Sequence, residues 1–145
     1  MRAASRLAGD APKLTQATGI LVILLGVIHL VATPFLIGWS SRQIHSEHAA
    51  LVIAAMRLNH ILTGVLLIPL GLSTFWAGRC LEQPWALRLA LLNAITLLCL
   101  PLFLVITMPV EALNAPLFSA AVALLIAACL LQLLALVGFT KSRSV

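Results

Sequence analysis

Four long apolar runs divide the chain, and short polar stretches separate them. Residues 18–39 form the first run, which ends on Trp39. Residues 40–48 (SSRQIHSEH) are the only strongly polar internal loop. The second run covers residues 49–78, with Trp76 near its end. A basic turn follows, in which Pro84 suits the first turn of a new helix. The third run covers residues 85–107, a turn with two prolines follows, and the fourth covers residues 117–139. A helix of about 20 apolar residues crosses a bilayer core, so each run predicts a transmembrane helix. The second is longer than a crossing needs, which predicts either a tilt or a first two turns standing in the headgroups. The expected fold is all-α: a four-helix transmembrane up-and-down bundle, with residues 1–145 forming one integral membrane domain.

Composition supports lipid as the solvent. The chain is 62% hydrophobic and 9% charged, where soluble domains are about 45–50% apolar and about 25% charged. Its mean hydropathy is +1.13. The net charge of +5 would suggest nucleic acid in a soluble protein. Here the basic residues sit at the ends of apolar runs, where they read as topology signals and headgroup contacts, and no nucleic-acid partner is expected. Arg2, Arg6, Lys13, Arg79, Arg88, Lys141 and Arg143 fall on one side of a four-span chain, and only Arg42 and Arg57 on the other. Positive charge gathers on the cytoplasmic side, so both termini are expected there, in a multi-pass protein of the cell (inner) membrane. Residues 1–17 read as a retained cytoplasmic tail, with an organelle transit peptide as the alternative. The following run is too long for a signal-peptide core of about 7–15 residues.

Polar residues within the spans are few, and each is a suspect for function because burying it in lipid is costly. The first span carries Gly19, Gly26, His29 and Thr33 on one helical face, with Pro34 next in sequence. The second carries Arg57, His60, Gly64 and Gly71, also as a stripe. Counted from the connecting loop, His29 and His60 lie at similar depth, so the two can face each other. Small-residue stripes let membrane helices approach closely, and each histidine then serves as an interhelical hydrogen-bond donor. The sharper reading is a cofactor site. Two neutral imidazoles bind haem b iron axially, or supply two ligands for Zn or Cu, and glycines beside them would leave room for a macrocycle.

The polar loop brings His45, Glu47 and His48 within four residues. Those donors suit Zn or Cu, although the spacing matches no standard motif, and a solvated loop has the same composition. Arg57, Asn59, His60 and Glu111 are expected to form a buried polar cluster if the turns fold inward, with Asn114 nearby. Asn93 and Gln132 lie at similar depths in the last two spans and are expected to hydrogen-bond across helices. Ser119, Ala123 and Ala127 predict a small-residue packing face on the fourth span. The three cysteines, Cys80, Cys99 and Cys129, show no CxxC spacing and no disulfide framework.

The chain has no phosphate-binding glycine loop and no nucleophilic triad order, and no span contains a carboxylate, which argues against a proton-coupled exporter. The leading expectation is a non-catalytic accessory or assembly subunit. Its partners would be the lipid bilayer and either a membrane protein or a second copy. One alternative is a haem- or metal-binding redox or transport protein using His29 and His60. Another is a small membrane enzyme with a pocket of His60, Arg57 and Glu111.

Overall fold

The computed structural model describes residues 2–45, 47–107 and 116–143. They form four helices: α1 (Arg2–Gln43), α2 (Ala49–Arg79), α3 (Pro84–Thr107) and α4 (Pro116–Arg143). The four contain stretches long and apolar enough to cross a membrane: Gly9–Gln43, Ala49–Arg79, Pro84–Phe103 and Val122–Thr140. Large apolar side chains stand exposed along all four, among them Phe35 at 77%, Leu66 at 66%, Ile95 at 61% and Val137 at 62%. Water would penalise such a surface, and hydrocarbon does not. The chain is a small multi-pass membrane protein.

The first helix is longer than its apolar run. It continues back through the sequence read as a tail, and two residues of that stretch, Ala11 and Thr15, are completely buried. Ala11 packs with Ala77, Leu81 and Phe139. Helix-favouring Ala, Arg and Leu residues allow the extension, and packing against the other helices gives its second half a reason to hold.

Helix α1 packs most extensively on α2 and next on α4, while α3 lies against α2 and α4. Two apolar clusters form the interior. One joins Ala11, Ala77, Leu81, Ala86, Ala90, Ala94, Ala135, Leu136 and Phe139. The other joins Val22, Leu25, Leu67, Leu97, Leu125, Ala128 and Cys129. Along the helices, polar residues fall at or near the junction of the two: Thr15 and Thr18 on α1, Thr74 on α2, Asn93 on α3 and Gln132 on α4, all buried. Every helix thus contributes to one polar layer.

Asn93 and Gln132 do cross between helices, but to other partners than each other. Asn93 Nδ2 donates to Ser73 Oγ at 2.9 Å and to Thr74 Oγ1 at 3.0 Å. Gln132 Nε2 donates to the Ala90 carbonyl at 3.4 Å. Cys129 Sγ donates to the Leu97 carbonyl at 3.1 Å, a second tie between α3 and α4. The expected small-residue face of α4 is also corrected. Ala123 and Ala127 are exposed, whereas Ala128, Cys129, Gln132 and Ala135 are buried. The side α4 turns inward is set by α1 and α3, and it holds the helix's one amide, which is costly to leave in lipid.

Candidate functional site

Backbone contact between α1 and α2 positions the site. A Cβ added to Gly71 would lie 2.7 Å from both the Gly19 carbonyl oxygen and the Ile23 nitrogen. One on Gly26 would lie 2.9 Å from the Gly64 carbonyl oxygen, and one on Gly78 2.8 Å from the Gln16 nitrogen and 3.0 Å from the Pro12 carbonyl oxygen. Each step of seven along α1 is matched by a step of seven back along α2, from Gly78 through Gly71 to Gly64. Only glycine permits such an approach, and van der Waals packing then holds the pair.

This register sets depth. Trp39 stands level with about residue 51 of α2, and Trp76 with about residue 14 of α1, roughly 37 Å apart at ~1.5 Å per residue. That separation lies between the about 30 Å of a hydrocarbon core and the about 40–45 Å of a whole bilayer. Trp39 and Trp76 are 65% and 58% exposed, as interfacial aromatics are. Arg79 lies over the Trp76 ring at 5.6 Å. With the two tryptophans taken as the interfaces, the midplane would fall near Gly26 and Gly64. His29 and His60 would then sit about 5 Å from it toward the Trp39 end, and Arg57 about 10 Å, by the same rise.

The two histidines meet as the stripes predict. Their ring centroids are 5.3 Å apart with planes at 30°, a stacked pair. His29 Nδ1 donates to the Leu25 carbonyl at 3.2 Å, leaving Nε2 as its acceptor. Thr33 Oγ1 donates to the His29 carbonyl at 2.6 Å. His60 Nδ1 is buried without a hydrogen-bond partner among the described residues.

Stacked rings turn faces toward each other. Two imidazoles that share an iron or a zinc instead aim a nitrogen each at one point, about 2 Å away. The glycines leave no room for a macrocycle either, because the facing helix occupies the space at Gly26 and Gly64.

The loop residues His45, Glu47 and His48 are exposed. His45 Nδ1 donates to the Gln43 carbonyl at 3.1 Å, and His48 precedes α2 without capping it through its side chain. Among the described residues, no three His, Cys, Asp or Glu side chains come together to hold a metal ion. Arg57 and Asn59 are both exposed and point from different sides of α2, while His60 is half-buried. Glu111 and Asn114 lie outside the described residues.

A feature absent from the sequence reading lies beside the histidines. Leu30, Thr33, Pro34, Arg57 and Ile61 line a cleft of about 320 Å³ between α1 and α2. It lies past Gly26 and Gly64, the last glycines of the seam. The seam partner Gly78 was also missed, though its spacing of seven from Gly71 is visible in the sequence. No protein-family model, curated protein or solved structure matches the chain.

Proposed function

We propose that this chain is a small polytopic subunit that works by packing against a partner membrane protein or a second copy of itself. It is an up-and-down bundle in the cell membrane with both termini cytoplasmic. Support for the orientation comes from Lys13, Arg79 and Arg88, which gather at the Trp76 end, against Arg42 and Arg57 toward the other.

The observation that carries this reading is the uncovered half of α2. Its buried residues are Gly64, Leu67, Gly71, Thr74, Ala77 and Gly78, so none falls between Ala49 and Thr63. Of the most apolar stretch of α2, 11% is buried, against 28% to 39% in the other spans. That bare half carries Asn59, whose amide has no hydrogen-bond partner among the described residues. An amide facing lipid is costly, and a neighbouring helix supplies the usual remedy, worth about 0.6 kcal/mol per bond and up to about 1.7. A photoreactive residue at position 59 is expected to crosslink to a second polypeptide in the native membrane, while one at Leu91 on α3 does not. A monomer with no crosslink at 59 would remove the support for a subunit.

Contact between His29 and His60 favours a second reading, a two-imidazole ligand site reached by turning the rings. Stoichiometric Zn or Cu, lost in both His29→Ala and His60→Ala, would support it. A metal-free preparation from metal-replete cells would end it.

A further inference from the structure

We propose that the cleft between α1 and α2 is a binding site for an anionic phospholipid of the leaflet at the Trp39 end, with Arg57 holding the phosphate. This rests on the chain crossing the bilayer and not on the subunit reading, because Arg57 and Asn59 are about 200° apart around α2 at 3.6 residues per turn.

Charge is the first argument. Arg57 is exposed within the first third of the apolar helix α2, and its guanidinium has no partner among the described residues. An arginine so placed is retained when something anionic answers it. Its level is about 9 Å below that of Trp39, counted through Thr33 at ~1.5 Å per residue. Stretched along the helix, the side chain reaches toward the interface, where the phosphates of that leaflet lie. Guanidinium pairs with phosphate through two parallel hydrogen bonds, which suits a phosphodiester.

The cleft supplies the second argument. Four of its five lining residues are Leu30, Thr33, Pro34 and Ile61, which present mainly hydrocarbon. Pro34, Arg57 and Ile61 are exposed, so the cleft is open to lipid. A volume of about 320 Å³ is at the small end for ligand pockets, and it fits a stretch of acyl chain better than a ring cofactor. Phosphate and chain then each meet a matching group.

The test uses the full chain in detergent and native mass spectrometry. Phosphatidylglycerol and phosphatidylcholine with identical acyl chains are titrated in competition. Wild type is expected to retain phosphatidylglycerol about five- to tenfold better, because both lipids carry the phosphodiester and only in phosphatidylcholine does the choline ammonium offset its charge against Arg57. The preference should vanish in Arg57→Gln, persist partly in Arg57→Lys, and remain in Arg79→Gln at the opposite end. Ile61→Trp, which fills the cleft and keeps Arg57, should also lower retention. Matching helical circular dichroism shows that each variant has folded. Equal retention of both lipids by wild type, or an undiminished preference in Arg57→Gln, overturns the proposal. So does unchanged retention in Ile61→Trp. Displacement by millimolar inorganic phosphate would point to a soluble anion instead. Loss of a co-purified polypeptide in Arg57→Gln, rather than of lipid, would assign the arginine to a protein interface. Both outcomes refute a lipid site.

Discussion

Replacing Gly71 by alanine tests the seam on which the site depends. The new methyl would meet the Gly19 carbonyl oxygen and the Ile23 nitrogen, each at 2.7 Å, and Ile23 Cγ1 at 2.7 Å. Ordinary contact begins near 3.4 Å, so about 0.7 Å must be recovered. Two of the three obstacles are backbone, and no rotamer change moves them. Helices α1 and α2 must separate locally, losing contacts on both sides of the substitution. Overpacking of this kind costs about 1–3 kcal/mol. Alanine's better helix propensity returns up to about 1 kcal/mol. A net loss of about 1–2 kcal/mol is expected, which is roughly a tenfold change in the unfolding equilibrium. Gly38 is the internal control, because a Cβ there meets nothing within 4 Å, and Gly38→Ala should be neutral or slightly stabilising. Gly64→Ala should fall between them, since Leu30 Cγ at 2.7 Å and Cδ2 at 2.8 Å belong to a movable side chain and only one backbone atom, the Gly26 carbonyl oxygen at 2.9 Å, stands in the way. The assay is reversible unfolding in mixed micelles of increasing SDS fraction, read by energy transfer between labels on α1 and α2. The double variant Gly19→Ala/Gly71→Ala should lose less than the two single losses combined, because the first methyl has already parted the helices. Gly71→Ala as stable as Gly38→Ala would refute the close backbone contact.

The polar layer gives a contrasting pair. Asn93→Leu removes both donors to Ser73 and Thr74 and is expected to cost about 1 kcal/mol in the same assay. Gln132→Met should be neutral or stabilising, because Gln132 Oε1 is buried without a partner among the described residues and its removal relieves a desolvation cost; a loss as large as that of Asn93→Leu would show that the amide oxygen is satisfied, for instance by water. Topology is checked by single cysteines in a background lacking Cys80, Cys99 and Cys129. Ser46→Cys should react with an impermeant maleimide from outside intact cells and Ser142→Cys only after lysis, and the reverse pattern would reject the orientation. For the stacked histidines, His60→Phe should keep the fold, since an aromatic ring still stacks on His29 at 5.3 Å, whereas His60→Ala opens a void and should lower stability by about 1–2 kcal/mol.

The sequence by itself determined the helices that cross the membrane. Long runs of Leu, Val, Ile and Ala leave the backbone of a span no partner but its own helix, so position along the chain translates directly into structure. It also determined that His29 and His60 share a level, because one loop and a fixed rise relate them. Tertiary structure decided what apolar periodicity does not encode. In lipid the inward and outward faces of a helix are equally greasy, so patterning does not say which face is buried. The face of α4 therefore came out differently from the Ser119–Ala123–Ala127 stripe, and Asn93 found Thr74 rather than Gln132. The orientation of the histidine rings was likewise decided by the helix approach at Gly26 and Gly64, which closed the space a macrocycle would fill. The cleft at Arg57 was likewise set by that register: past Gly64 it brings Thr33 and Arg57 level, and both line the cleft.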